Sequence, residues 1–373
     1  MTSAFDVVIV GAGIAGCACA RELAEAGVQV AIIERNSPGS GATSAGMGHI
    51  VVMDDSPAQL ALTHYARSLW QKLTAEFPAA VEYEERGTLW IAADDEEMAQ
   101  VRAKHLVCAR AGIRSEVLDA AALAEAEPRL RPGLAGALLV PDDAVLYPPA
   151  AALSFLQAAQ RSGARLIRAT VARAKAGAVT LSDGTTLASD HIVIATGIDT
   201  NIVPWVRLET RKGHLVITDR YPGFVRHQLV ELGYLKSAHS TVSDSVAFNV
   251  QPRITGQLLI GSSRQYRQED PAANTNIVAT MLRRAYEYMP QLASLSATRV
   301  WTGFRAATSD NLPLIGPTHD PTLYLLAGFE GLGITLAPAA ARLLVDHLLA
   351  RKSAIDPTPY LPQRMTRPET ILA

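Results

Sequence analysis

Apolar positions at 5–10 run without a break into a glycine-rich stretch at 11–16; apolar residues at helical spacing then lead to a second apolar run at 30–33, which closes on Glu34. Strand, tight turn, helix and strand in that order make a βαβ unit with parallel strands. Helical spacing returns at 57–77 and 98–112, and between them residues 81–92 alternate in the period of a strand, with Gly87 marking a turn. An extended run at 134–140 precedes a helix over 150–163, a strand over 165–172, a hairpin turning at Asp183 and Gly184, and an apolar strand at 191–195. Strands follow at 213–218, 245–250 and 257–261, with one clear helix at 271–289 that carries Ile277, Met281, Ala285 and Tyr288 on one face. A strand at 323–326 and a long apolar helix at 334–350 end the pattern, and the proline-rich tail after Ser353 reads as loosely structured.

Three blocks of βαβ character are thus separated by two stretches of antiparallel character. The predicted fold is α/β with α+β features: a Rossmann-like dinucleotide-binding domain from residues 1–80, 149–205 and 300–373, and an inserted antiparallel-sheet substrate domain from 81–148 and 206–299. A chain of 373 residues can bury cores for both.

The chemistry of the first unit is specific. Gly11, Gly13 and Gly16 suit a tight turn, a close approach of backbone to pyrophosphate and a close helix–sheet contact, and the helix N-terminus offers unpaired N–H groups to phosphate. Glu34 falls about 20 residues beyond the first glycine, where a carboxylate accepts hydrogen bonds from an adenosine ribose and disfavours a 2′-phosphate. A small-residue stretch follows at 39–49, too poor in bulk for a core strand, so it must approach something closely.

Charge and composition narrow the partners. Lys and Arg total 34 against 36 Asp and Glu, with no long basic run, so no footprint for nucleic acid is present. The apolar segment at 331–350 is broken by Arg342, Asp346 and His347 and reads as a core helix, so no membrane span is expected. Three scattered cysteines cannot build a disulfide framework or a four-cysteine cluster, and the histidines show no helical ligand pair, so no metal site is expected. Nucleotide-binding residues begin by Gly11, which leaves little room for a leader, and a reducing, cytoplasmic setting is expected.

Four blocks, in this order, resemble the FAD-dependent D-amino-acid oxidase superfamily. They are GAGIAG with Glu34, the GSGATSAGM loop at 39–47, Ala195-Thr196-Gly197, and GFRAATSDNLPLIGP at 303–317 followed by AGFEGLGITLAP at 327–338. The branch they resemble holds glycine oxidase, sarcosine oxidase and the heteromeric proline, hydroxyproline and opine dehydrogenases. The loop SAGMGHIVVMDDS at 44–56 looks most like the β subunit of a D-hydroxyproline or opine dehydrogenase.

The resemblance implies FAD as cofactor, with Gly11, Ala12, Gly13, Ile14, Ala15 and Gly16 along the pyrophosphate, Glu34 on the ribose and Arg35 beside the adenine. Gly41, Ala42, Thr43, Ser44, Gly46 and Met47 would follow the ribityl chain and flavin, Val171 would meet the adenine, and Ala195, Thr196 and Gly197 would close the cofactor strand. Gly303 and the helix entry at Gly331, Leu332, Gly333, Ile334 and Thr335 would lie against the flavin, where N–H groups favour the charge that collects on reduction. Arg305 would anchor a substrate carboxylate by a bidentate grip, helped by an apolar pocket around Trp301 and Phe304. Tyr147, His49, Phe248 and Lys212 are further candidates for the pocket or flavin edge.

Two departures matter. The sarcosine oxidase pattern has a cysteine anchor after Gly303 and none occurs here, which implies noncovalent FAD. Glycine oxidase has a second arginine in the segment that here reads Phe329-Glu330-Gly331, so Glu330 either meets an amine or is a solvated carboxylate. The implied reaction is oxidation of an amino-acid C–N bond by hydride transfer to the flavin, best with cis-4-hydroxy-D-proline or another secondary amino acid. The alternatives are a self-sufficient oxidase that releases peroxide and a non-catalytic FAD-binding scaffold. A dehydrogenase of this kind would pass electrons to partner subunits carrying an iron-sulfur or other redox centre.

Overall fold

The computed structural model describes residues 4–199, 201–203, 205–233 and 244–365. Two large sheets organise it. The first runs Leu314–Pro317, Leu323–Ala327, Thr186–Ile194, Ala4–Val10, Val30–Glu34, Arg165–Arg168, with the hairpin Val171–Lys175 and Ala178–Leu181 attached to Thr186–Ile194. Its central pairs are parallel and the edge strand Leu314–Pro317 is antiparallel. Strands such as VVIV at 7–10 and VAII at 30–33 are apolar at every position because both faces of a parallel sheet are covered. Helices Ile14–Glu25, Pro148–Arg161 and Gly333–Leu348 pack with Pro57–Leu73 on one face, around Trp70 and Phe155. A second apolar cluster, with Val8, Ile33 and Val179, fills the other.

The second sheet runs Ala297–Ala307, Glu209–Thr218, Leu258–Tyr266, Ser245–Pro252, Gln228–Glu231, Thr88–Ala92, Gly136–Val140, Glu116–Asp119. All its pairings are antiparallel except Gln228–Glu231 with Thr88–Ala92, the pair that joins the two inserted stretches into one sheet. Helix Thr275–Tyr288 lies against it through Met281, Ala285 and Tyr288. The edge strand Ala297–Ala307 pairs along its length with Glu209–Thr218, so the boundary expected at residue 300 falls inside a strand of this sheet.

Other expectations shift for local reasons. Within 81–92 only Thr88–Ala92 is strand, since Pro78 starts a 3₁₀ turn at Ala79–Val81. Part of the tail expected to be loose is packed: Tyr360 is buried and its hydroxyl donates to the Ala58 carbonyl at 2.6 Å. Phe248, a candidate for the site, belongs instead to the core beneath the second sheet, stacked on Tyr288 with ring centroids 4.7 Å apart. Alternation along Ser245–Pro252 sends it to the helix-covered face, where an aromatic ring gains most from burial.

The ion pair between Arg67 and Asp143 lies wholly inside. Arg67, on the helix Pro57–Leu73, holds Asp143 at 3.1 Å, and Asp143 also accepts the Val52 amide at 3.3 Å. Burial pushes the Asp143 carboxyl up to about 7, against the opposing pull of Arg67 and its hydrogen bonds. Cys17, Cys19 and Cys108 are free thiols in the interior, and burial pushes all three up, which marks them as packing residues.

Two measurements check this reading of the interior. Phe248→Ala should lower folding stability by about 3–5 kcal/mol, measured by denaturant unfolding, while the folded fraction keeps its flavin; loss of flavin alone with unchanged stability would return Phe248 to the site. Because the folded Asp143 carboxyl titrates higher than the unfolded one, its contribution to stability is full below pH about 4 and is lost as the pH rises toward about 7. Unfolding free energies compared across that range should show a decline that Asp143→Asn removes.

Candidate functional site between the two sheets

A cavity of about 430 Å³ opens where the two sheets meet, walled by the first βαβ unit on one side and the second sheet on the other. Its first wall depends on close backbone contact. A β-carbon on Gly11 would stand 2.4 Å from the Ala195 carbonyl oxygen, and one on Gly16 would stand 2.0 Å from that of Gly11, so the turn tolerates no side chain there. Gly11, Gly13, Ile14, Ala15, Glu34 and Arg35 line this end together with Val171, Ala195, Thr196 and Gly197.

The amides at this end are partly committed. Glu34 accepts the Ala12 amide at 2.8 Å through one carboxylate oxygen and the Asn36 amide at 2.7 Å through the other. Thr43 accepts the Ile14 amide at 3.0 Å, and no side chain caps the helix at Gly13. Arg35 pairs with Asp199 at 3.0 Å at the cavity edge.

The loop expected to approach the cofactor forms a short helical turn, Ala42–Ala45, followed by a two-residue strand at His49–Ile50. Gly41, Ala42, Thr43, Gly46 and Met47 line the cavity. The loop lies against the second sheet, where a β-carbon on Gly303 would come 2.5 Å from that of Ala45, and Trp301 donates to the Ala45 carbonyl at 3.3 Å. The C-terminal helix enters from the same side with Gly331, Leu332, Gly333 and Ile334 on the cavity, and no side chain caps its N-terminus either. Two helix starts whose cap residues, Gly13 and Leu332, make no side-chain cap bond therefore face one space, a pairing suited to anionic groups. Gly331's amide is taken by the Glu330 carboxylate.

The opposite wall carries charge. Arg211 and Arg305 are register partners on adjacent antiparallel strands, and Arg264 lies on the strand to the other side of Arg211; all three line the cavity. Glu330 accepts from Arg264 at 3.0 Å and lies 3.6 Å from Arg211. Burial raises the Glu330 carboxyl, but Arg264, Arg305 and Arg211 outweigh it and hold the pKa below the usual value. Glu330 is thus not a solvated carboxylate but an ion-paired one that lines the cavity.

Several expected residues fall outside the cavity lining. Ala12 and Gly16 lie behind the turn as packing, and Ser44 is exposed, its hydroxyl donating to Gly41 at 3.1 Å. Thr335 is buried one layer back, where its hydroxyl donates to the His49 carbonyl at 2.8 Å. Tyr147 is the residue before the helix Pro148–Arg161, with its ring under Arg253 at 4.7 Å. Lys212 points to the other face of its strand and donates to Ala272 at 2.6 Å, because neighbouring strand residues face opposite ways. His49 does line the cavity, held to Thr88 at 2.7 Å, and burial pushes its pKa down to about 3, which keeps it neutral.

Arg211 and Arg264 were not singled out from sequence. The alternation of Arg211, Gly213 and Leu215 along one strand, and of Ser262 and Arg264 along another, carried the signal, but only the pairing of the strands brings these positions to Arg305.

A dinucleotide cradle on one wall and guanidinium groups on the other define a dinucleotide-dependent enzyme of the two-sheet α/β type. The chain belongs to the FAD dependent oxidoreductase family, whose pattern covers residues 6–347. It is 28% identical to glycine oxidase of Geobacillus kaustophilus over 96% of this chain and 97% of that one. It is 26% identical to the hydrogen cyanide synthase subunit HcnC of Pseudomonas aeruginosa, over 98% and 97%. The crystal structure of glycine oxidase from Geobacillus kaustophilus superimposes with a TM-score of 0.87 over 98% of this chain and 100% of that one, at 26% identity.

The residues present fit FAD: glycines where a β-carbon would collide, an acid beside the turn and two helix starts on one cavity. Among the described residues no helix is long and apolar enough to cross a membrane, and no cluster of side chains could hold a metal ion. Glu34→Ala removes both amide contacts of the carboxylate and should weaken FAD retention by roughly 1.5–3 kcal/mol, the scale of hydrogen bonds to a charged group. Flavin loss on dilution measures it, and full retention would exclude Glu34 from the cofactor end.

Proposed function

We propose that this chain oxidises the C–N bond of a small amino acid, preferably a secondary one such as cis-4-hydroxy-D-proline, as the catalytic subunit of a heteromeric dehydrogenase. The observation that carries the amino-acid reading is Arg305. It lines the cavity with Nη1 donating to the Ser263 carbonyl at 3.0 Å, and its other guanidinium donors have no partner among the described residues. A planar fork fixed at one corner and open at the rest suits a carboxylate.

FAD, held by the glycine turn at 11–16, the loop at 41–47 and the helix entry at 331–334, would supply a two-electron acceptor for the hydride of the carbon that bears nitrogen. The chain's part is orientation and exclusion of water. Arg305 sets the carboxylate, and Met53, Trp90 and Leu215 give the cavity apolar walls. Neither His49 nor His214 is set as a base: burial pushes the His49 pKa down to about 3, which leaves it a poor proton acceptor, and His214 is committed at both nitrogens, to Ser263 at 2.9 Å and to the Asn274 amide at 3.0 Å. Burial, with Lys212 and Arg305 adding to it, pushes His214 down to about 4. No general base is required if the substrate amine binds deprotonated, and the imine product then hydrolyses after release.

The choice of a secondary amino acid and of a heteromer draws on the loop at 44–56, which looks like that of β subunits, and on a relative that is itself named as a subunit. The three cysteines are free and buried, and in the heteromer reading electrons pass to a redox centre on another protein, docked near the loop after Gly46. Glycine oxidase among the relatives favours a second reading, in which oxygen is the acceptor.

Arg305→Lys keeps the charge and loses the fork, so anaerobic flavin bleaching should slow and need a higher concentration of cis-4-hydroxy-D-proline, with the flavin spectrum little changed. Unaltered kinetics across D-proline, L-proline, sarcosine and glycine as well would remove Arg305 from the site. Stoichiometric peroxide from the isolated chain would leave the oxidase reading standing in place of the heteromer.

A further inference from the structure

Three guanidinium groups on one wall would ordinarily suit a ligand with two carboxylates, yet the way they are paired argues otherwise. Arg264 donates to Glu330 at 3.0 Å. Arg211 lies 3.6 Å from the same carboxylate and is also held by Asn311 at 2.8 Å and by the exposed Glu209 at 3.4 Å. Arg305 alone of the three has no carboxylate within ion-pair distance among the described residues. Its guanidinium crosses over Gly213, where a β-carbon would stand 2.7 Å from Nη1, so the strand is cut back to admit it.

Glu330 is held firmly enough to keep this arrangement. Its backbone is left-handed at φ 51°, its amide donates to the Ala306 carbonyl at 2.8 Å, and its second carboxylate oxygen takes the Gly331 amide. The turn is thereby fastened to the strand that carries Arg305. The surrounding arginines hold the carboxyl below its usual pKa, so the charge persists at neutral pH.

We propose that Glu330 is a specificity-determining residue that restricts the site to substrates with a single carboxylate, by occupying Arg264 and Arg211 and leaving Arg305 open. This rests on the reading of Arg305 as the carboxylate anchor. A second carboxylate on the substrate would have to displace Glu330 from its arginines or share the wall with a fixed negative charge, and like charges at close range in a buried site repel strongly.

The test is ligand binding to the oxidised FAD holoenzyme, followed by the flavin absorbance change, with pyrrole-2-carboxylate as the monocarboxylate and iminodiacetate as the dicarboxylate. The wild-type protein should bind the monocarboxylate about tenfold or more tightly, the scale of one buried charged contact. Glu330→Gln should raise the affinity ratio of dicarboxylate to monocarboxylate by about tenfold or more. A wild-type preference for iminodiacetate, or an unchanged ratio in Glu330→Gln, overturns the proposal, and the wild-type ratio decides it if the variant does not fold. If amino acids bleach the flavin while both ligands bind equally, the specificity role alone falls. If neither ligand binds and no amino acid bleaches the flavin, the amino-acid reading falls and this one with it.

Discussion

The approach of Gly16 to the Gly11 carbonyl, at a distance that leaves no room for a β-carbon, is the contact on which the rest of the site depends. It lets the first helix start directly over the turn after the first strand, so that the strand end, the helix N-terminus and the Ala195 strand end converge on one point. From there the loop at 41–48 crosses to the second sheet, and it can do so because Gly303 lacks the atom that would strike Ala45. Two glycine contacts, far apart in sequence, thus set the spacing between the sheets and leave a cavity where they meet.

Within that cavity the polar groups are sorted by what they have left to give. Amides of Ala12, Ile14 and Gly331 are already held by Glu34, Thr43 and Glu330, while the cap residues Gly13 and Leu332 make no side-chain bond of their own to the rest of either first turn. Burying such helix ends costs free energy unless an acceptor arrives, so the fold is built around a bound group. His49 and His214 are held neutral by burial and committed to partners, and the charged wall is ion-paired apart from Arg305. What remains for chemistry is geometry, in line with a family whose cofactor carries the reaction.

The sequence by itself determined the βαβ unit, the return of its pattern after two insertions, and the glycine positions of the cofactor turn, because these depend on local periodicity and on residues that only one backbone shape accepts. Gly11, Glu34, the loop at 41–47 and the helix entry at 331–334 were legible for that reason, and Arg305 through its setting in a recurring motif. Tertiary structure decided what local pattern cannot carry. Phe248 went to the core and Lys212 away from the cavity because strand pairing, which is long-range, chose which face of each strand meets helix or ligand. Arg211 and Arg264 joined Arg305 only through the register of three strands, and Glu330 found its role only when the turn before the last helix closed onto them. A charge read along the chain has a sign but no partner, and its partner is fixed by which strands lie side by side.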